Sequence, residues 1–310
     1  MLLKVGTRGS RLALSQTNRF LEELRIRRPD VEFKVEKIKT LGDTERLKPL
    51  FTIDSKGIFE KEIDQAITSC QVDFAVSSLK DVPTLEDPHV TVATIPKRAS
   101  PCDAFISKNN QPLKSLPGNA VIGTGSLRRL AQIKHFRPDL EVVPIRGNVD
   151  TRIRKVKKGE VDGIVVAEAG LQRMGLEKEA TQRLPLEQFP SAPGQGALAI
   201  IARKEDENTI KVLKSMEDQS TRAEVTAERS LMIQLEGGCR VPIGAVGKVK
   251  NSCLSLRGVM FTLDGKNKIE STEESSLKNA EDLGIKVAES LLAQGAKKIE
   301  LEWRKKYGPW

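Results

Sequence analysis

Apolar and polar positions along the chain alternate between two periods. Leu2, Leu3 and Val5 form a short apolar run that predicts a strand. Beyond Gly6-Thr7-Arg8-Gly9-Ser10, residues 11–24 set Ala13, Thr17, Phe20, Leu21 and Leu24 on one face at helical spacing. Val31, Phe33 and Val35 alternate, with Ile38 out of step, and predict a strand over 31–38. Ile58, Phe59, Ile63, Ala66 and Ile67 return to the helical period over 58–67. Phe74-Ala75-Val76 predicts a short strand that enters Ser77-Ser78-Leu79-Lys80-Asp81-Val82-Pro83.

A second series starts near residue 100. Strands are predicted at 120–122, 142–146 and 163–167, with a helix over 127–135 after Gly123-Thr124-Gly125-Ser126. Strands alternating with helices indicate an α/β layer architecture. The segment Val5-Gly6-Thr7-Arg8-Gly9-Ser10 is echoed by Ile122-Gly123-Thr124-Gly125-Ser126, which suggests two similar units facing each other across a cleft. The Pro- and Gly-rich stretch 184–196 marks a crossing or hinge between them. A third unit runs from about 219 to the end. In it, 254–263 and 266–271 read as a hairpin on a type I′ turn at Asp264-Gly265. Leu283, Val287 and Leu291 build a final helix, with Lys297 and Lys298 near its end suiting the helix dipole. The charged, weakly periodic segment 42–57 reads equally as a mobile lid-like loop and as a plain connection.

Composition narrows the function. A chain of 310 residues favours two or three domains. It has 38% hydrophobic and 30% charged residues, enough apolar matter for ordinary cores. Aromatics are only 4%, which argues against stacking platforms for single-stranded nucleic acid. No apolar run approaches the ~20 residues of a membrane helix, and the N-terminal residues lack the apolar core of a secretory signal, so a cytoplasmic protein is expected. The four cysteines, Cys70, Cys102, Cys239 and Cys253, form no Cys-x-x-Cys pair, and the two histidines add little, so neither a zinc site nor a disulfide framework is expected. The net charge of +9 favours an anionic partner, either nucleic acid or a small polycarboxylate.

Three places carry candidate chemistry. Ser10 and Ser126 sit where helix N-caps belong, and capping alone explains most such serines. Here Arg8 and Arg11, and Arg128 and Arg129, flank the same helix starts, a pattern suited to binding carboxylate or phosphate. Arg146 and Arg152 add two more guanidiniums, and neither a Walker-type nor a complete Gly-x-Gly-x-x-Gly motif occurs at these turns. Lys80-Asp81 reads either as a surface ion pair or, at the end of a strand, as a carboxylate pointing into a ligand crevice and serving as acid, base or cation stabiliser. Cys239 lies in Glu236-Gly237-Gly238-Cys239-Arg240-Val241-Pro242, an exposed-loop setting in which Arg240 favours the thiolate; Cys70, Cys102 and Cys253 read as small buried hydrophobes.

At this point the sequence resembles the porphobilinogen deaminase (hydroxymethylbilane synthase) family over its full length. The resemblance is carried by Thr7-Arg8-Gly9-Ser10-x-Leu12-Ala13-Leu14-x-Gln16, Ser78-Leu79-Lys80-Asp81-Val82-Pro83, Gly123-Thr124-Gly125-Ser126-Leu127-Arg128-Arg129, Arg146-Gly147-Asn148-Val149-x-Thr151-Arg152, Ala169-Gly170-Leu171, Gly194-Gln195-Gly196-Ala197 and Glu236-Gly237-Gly238-Cys239-x-Val241-Pro242-Ile243-Gly244. It implies three domains: 1–98 with 195–216, 99–194, and 217–310. The first two are binding-protein-like, with mixed sheets around a cleft, and the third is a smaller α/β unit carrying the cysteine loop.

The same resemblance implies a transferase of porphyrin, haem and other tetrapyrrole biosynthesis, which joins four porphobilinogens head to tail into hydroxymethylbilane with loss of ammonia. The chain grows on a dipyrromethane cofactor held by a thioether to Cys239, and Asp81 is the essential acid. The cofactor positions are Lys80, Ser78, Ser126, Arg128, Arg129, Arg146 and Arg152; those of the incoming substrate and growing oligopyrrole are Arg8, Ser10, Gln16, Arg173 and Lys56. No metal, nucleic acid or membrane partner is implied, and a monomer is the default. Five positions depart from the usual family pattern: Ser77 stands where many members have His, Thr52 where Lys is frequent, Asp54 and Ser55 where Gly is common, and Gly125 where Ser is usual.

Two other readings compete. A non-catalytic binder of small carboxylates would fit the paired half-domains, but not the lone loop cysteine. A nucleic-acid binder would fit the charge, but not the scarcity of aromatics.

Overall fold

The computed structural model describes residues 1–40, 60–83, 87–235 and 242–308. The segment 42–57, with Thr52, Asp54, Ser55 and Lys56, and the loop bearing Cys239 lie outside the described residues. In chain order, β1 (Leu2–Arg8), α1 (Arg11–Arg27), β2 (Glu32–Ile38), α2 (Lys61–Thr68), β3 (Phe74–Ser78) and β4 (Val90–Thr94) come first. The chain then crosses to β5 (Asp103–Ser107), β6 (Val121–Gly123), α3 (Leu127–Phe136), β7 (Glu141–Val143), α4 (Val149–Lys158), β8 (Gly163–Ala167), α5 (Glu168–Met174) and β9 (Gln182–Leu184). It returns to β10 (Leu198–Arg203) and α6 (Glu207–Leu213). Helix α7 (Gln219–Gln234), strands β11 (Ile243–Lys250), β12 (Cys253–Phe261) and β13 (Lys268–Ser276), and helices α8 (Ala280–Ala293) and α9 (Ala296–Tyr307) follow.

The strands form two five-stranded sheets of the same design and one three-stranded sheet. The first has the order β2-β1-β3-β10-β4 and the second β7-β6-β8-β5-β9. In each, three parallel strands are followed by one antiparallel strand and then by an outer strand antiparallel to that one. The antiparallel member, β10 or β5, is in both cases the first strand after a crossover. This repeated order around two crossovers is the expected binding-protein-like arrangement. β1 and β6 hold equivalent places, and each feeds a helix capped by the predicted serine. Ser10 Oγ accepts from Ala13 N at 3.2 Å and Ser126 Oγ from Arg129 N at 3.4 Å.

The helical face predicted in α1 is buried, with Phe20, Leu21 and Leu24 in the core beside Phe74 of β3. Phe20 and Phe33 both meet the Phe74 ring edge-on, with centroids 6.3 Å away; burying such a ring is worth ~1.5–3 kcal/mol. β11, β12 and β13 form an antiparallel sheet whose core includes Leu127 and Ala131 of α3, so the third unit is seated on the helix that carries Arg128 and Arg129. Val225 of α7 joins the core of the first unit. The two crossovers run against each other at Gly196, where φ is +87° and an added Cβ would sit 2.6 Å from the carbonyls of Ala99 and Ser100.

Several expectations are corrected. The β12–β13 hairpin forms, but Phe261 pairs with Lys268 and a longer loop closes it. Gly265 has φ +71° and Asp264 is not in the left-handed region, so the turn is not type I′; the Asp264 carboxylate instead accepts from Thr262 Oγ1 and Lys266 N. The helix of Leu283, Val287 and Leu291 is not the last. It stops before Gly295 at φ +99°, and Lys297 and Lys298 open α9, where Trp303 is buried. β7 ends at Val143, so Arg146 lies on the connection before α4 rather than on a strand. Cys102 is buried as expected, but Cys70 is exposed in the turn after α2 at φ +60°, and Cys253 is only half-buried at the start of β12.

Candidate active site

The parallel strands of both large sheets deliver their C-terminal ends to one region, the place where α/β sheets present ligands. β3 passes at Ser78 into a three-residue 3-10 turn, Leu79–Asp81, which sets Lys80 and Asp81 half-buried at the strand end. Among the described residues the Asp81 carboxylate makes no hydrogen bond and no ion pair, so the expectation of a surface Lys-Asp pair does not hold. Lys80 instead directs Nζ to Gln195 Oε1 at 3.3 Å. Burial lowers the Lys80 ammonium to about 8, with Arg129 and Arg128 pushing the same way and Asp81 and Asp103 opposing.

Arg128 and Arg129, from the first turn of α3, converge on Asp103 at the start of β5. Arg128 Nη2 donates to Asp103 Oδ2 at 2.9 Å and Arg129 Nη2 to Oδ1 at 2.7 Å. Arg128 Nη1 also reaches Pro190 O at 2.8 Å and Gln132 Oε1 at 3.0 Å, and Arg129 Nη1 reaches Val165 O at 3.0 Å. Asp103 is fully buried. Burial alone would raise its carboxyl, but the two arginines and a Gln195 hydrogen bond outweigh that and hold it far below the usual range. Gln195 closes the unit: Nε2 donates to Asp103 Oδ1 and Pro101 O, each at 2.8 Å, and Oε1 accepts from Lys80. A chain of contacts thus runs from the strand end of the first sheet to that of the second.

The remaining cations extend this cluster. Arg152 donates Nε to Gly147 O at 2.8 Å, and burial, then the charges of Arg129 and Arg146, lower its guanidinium to about 10. Ser78 Oγ accepts from Gln16 Nε2 at 3.0 Å, joining β3 to α1. Arg173 lies where α5 meets α1; it donates Nη2 to Gly196 O at 2.7 Å, its own carbonyl accepts from Ser15 Oγ, and burial with Arg19 lowers it to about 10. Arg8 is close enough to influence Glu60, which in turn feels Asp81. Lys56 and Cys239 lie outside the described residues.

The donor set suits a polyanion such as the dipyrromethane cofactor. Arg128 Nε and Arg129 Nε are buried without a hydrogen-bond partner. Among the described residues, the cations Arg128, Arg129 and Arg152 cluster around the single buried carboxylate of Asp103, a donor set suited to negative charge.

Sequence reasoning missed Asp103, Gln195 and Glu60. Gln195 lies in the Gly194-Gln195-Gly196-Ala197 motif without an assigned role, Asp103 looks like any other acid, and Glu60 falls among the helical positions of 58–67 with nothing local to mark it. Glu60 is in fact 2% exposed and accepts from Ser77 Oγ at 2.9 Å.

Two family models match the chain: "Porphobilinogen deaminase, dipyromethane cofactor binding domain" over residues 3–211 and "Porphobilinogen deaminase, C-terminal domain" over residues 222–293. The chain is 45% identical over 306 residues to the "Probable porphobilinogen deaminase" of Nitrosopumilus maritimus, covering 99% of this chain and 98% of that protein. Against the porphobilinogen deaminase of Brevibacillus brevis it is 45% identical, over 94% of each chain. Among solved structures, the methionine binding protein MetQ aligns with 69% of this chain and 89% of its own at 12% identity and a TM-score of 0.43. Matched in both of its parts, and by relatives of the same length, the chain belongs to the porphobilinogen deaminase family, transferases of tetrapyrrole biosynthesis.

Proposed function

We propose that Asp81 and the cationic cluster joined to the adjacent Lys80 through Gln195 carry the family's reaction, the head-to-tail condensation of four porphobilinogens into hydroxymethylbilane with loss of ammonia. The observation that carries this reading is the Arg128–Asp103–Arg129 unit, whose two buried Nε atoms have no partner.

Porphobilinogen and each longer oligopyrrole bear an acetate and a propionate on every ring. Arg128, Arg129, Arg146, Arg152 and Lys80, with the hydroxyls of Ser78 and Ser126, hold those of the dipyrromethane, and Cys239 is its point of attachment. When bound, that group supplies the primer on which the chain is extended. Arg8, Ser10, Gln16, Arg173 and Lys56 hold the incoming substrate and the growing chain. Ser10 and Ser126 accept a backbone N–H as caps, and a hydroxyl so engaged still has its own proton to donate.

Asp81, with no partner of its own among the described residues, accepts a pyrrole N–H and stabilises the cationic carbon left when the aminomethyl group loses ammonia. The Arg128 and Arg129 guanidiniums keep their aim through Asp103.

We divide the chain into 1–98 with 195–216, 99–194 and 217–310, with elongation occurring between the first two. We further propose a cytoplasmic monomer that uses no nucleic acid or membrane partner; no helix among the described residues is long and apolar enough to cross a membrane.

Asp81→Asn tests the reading. The variant keeps its fold and its cofactor mass but releases no ammonia beyond background from porphobilinogen. Parental turnover in that variant would remove Asp81 from the chemistry.

A further inference from the structure

The Asp81 side chain makes no hydrogen bond among the described residues, so its direction is set by its backbone. That backbone is a single 3-10 turn with one internal bond, Val82 N to Leu79 O at 3.1 Å. So short a helix leaves most of its carbonyls to be satisfied from outside. Arg229 of α7 supplies that support. Its Nη1 donates to Val82 O at 3.0 Å and, more weakly, to Leu79 O at 3.5 Å, and its Nη2 donates to Pro83 O at 2.8 Å. These three carbonyls bracket Lys80 and Asp81 on both sides. On the opposite flank the turn is pinned by Leu79 N to Ala197 O at 3.1 Å and by Lys80 Nζ to Gln195.

α7 is itself firmly tied. Glu228, the residue before Arg229, binds Arg98 through both oxygens and accepts from Gly194 N at 2.7 Å and Gly247 N at 2.9 Å. The helix ends at Gln234, so the element that grips the turn of Asp81 also leads into the segment bearing Cys239.

We propose that Arg229 is a positioning residue for the condensation: from α7 it fixes the height and direction of Asp81 through the carbonyls of Leu79, Val82 and Pro83. This rests on the reading of Asp81 as the acid. A planar guanidinium reaches three carbonyls that an ammonium cannot match in geometry. Small misplacements of a catalytic group are expensive, about 100-fold for ~1 Å.

The test is a double-mutant cycle on the full chain carrying its cofactor, with intact mass, kcat and KM for porphobilinogen as readouts. Arg229→Gln retains the cofactor mass and lowers kcat about ten-fold or more with KM within about two-fold, and Arg229→Lys recovers part of that loss. In an Asp81→Glu background, where the carboxylate is already displaced, Arg229→Gln lowers kcat by less than about three-fold. Should Arg229→Gln be recovered without cofactor or unfolded, Arg229→Lys carries the cycle, with a smaller kcat loss that again shrinks in the Asp81→Glu background.

An unchanged kcat with only a lower melting temperature would make Arg229 a structural residue and overturn the proposal. So would an equal loss in both backgrounds, which would mean that it does not act through Asp81. Asp81→Asn, measured beside them, separates the two failures. If that variant keeps parental turnover, the reading of Asp81 falls and the proposal with it; if it is inactive while the cycle shows no coupling, only the proposal falls.

Discussion

Arg98 and Glu228 form a two-pronged ion pair, 2.7 and 3.0 Å, at the point where both crossovers meet the third unit. Arg98 belongs to the first crossover and also donates Nε to Gln195 O of the second at 2.8 Å, while Glu228 accepts from Gly194 N and Gly247 N. The pair is buried on both sides, and each Glu228 oxygen accepts from one Arg98 nitrogen and one backbone N–H. One contact therefore ties both crossovers to α7 and to β11.

Removing Arg98 leaves the buried Glu228 without its counter-charge, which costs about 3–5 kcal/mol; removing the Glu228 charge costs less, because Glu224 still stands 3.7 Å from Arg98. Arg98→Leu and Glu228→Gln are each expected to lower the thermal midpoint markedly and to reduce the fraction of purified chain carrying cofactor. Melting curves read with intact mass decide this. Parental melting in both variants would show that the junction does not depend on the pair.

Asp103 gives a second test, because it aims two guanidiniums at once. Asp103→Asn removes the charge that offsets Arg128 and Arg129 and keeps the side-chain volume. The expected result is a folded protein, destabilised by roughly 3–5 kcal/mol, that is recovered with little cofactor. Full loading with unchanged melting would mean that the arginines keep their aim without it.

Glu60 carries a pH signature. Burial raises its carboxyl to about 8; the Ser77 hydrogen bond opposes this, Asp81 and Asp64 add to it, and Arg8 opposes it. The folded value lies above the unfolded one, so the native state holds the extra proton between them. Its stabilisation is complete below pH ~4.5 and is lost as pH rises to about 8, at up to ~1.4 kcal/mol per pH unit. Glu60→Gln, neutral at every pH, should remove that slope and melt higher than the parent near pH 8.5, with the two alike near pH 4.5. Denaturant midpoints measured from pH 5 to 9 check it, and identical slopes in both proteins would contradict it.

The half of the fold that local patterns specify was legible in the sequence. α1 and α3 were visible through their apolar faces and serine caps, and β3 and β8 through apolar runs. The Gly-Thr and Ser echo marked the equivalent strands β1 and β6. What stayed hidden is non-local. Nothing in Leu198–Arg203 says that it inserts antiparallel beside β3, with Ile200 opposite Val76 of a far earlier segment, since that pairing is set by the crossovers. α9 was concealed because Gly295 ends one helix and another starts at once. Arg128 and Arg129 were visible as a motif, whereas Asp103 and Gln195 acquire meaning only when β5 and the second crossover bring them beside α3 and Lys80.

The most direct measurement is the intact mass of the purified full chain beside that of Cys239→Ser, each then given porphobilinogen. The parent should exceed its 34.2 kDa polypeptide by one dipyrromethane and consume porphobilinogen, and the variant should show the bare polypeptide mass and consume none. A parent of bare mass that leaves porphobilinogen untouched, or a Cys239→Ser protein that keeps both the added mass and the activity, would contradict the proposal of a cofactor anchored at Cys239.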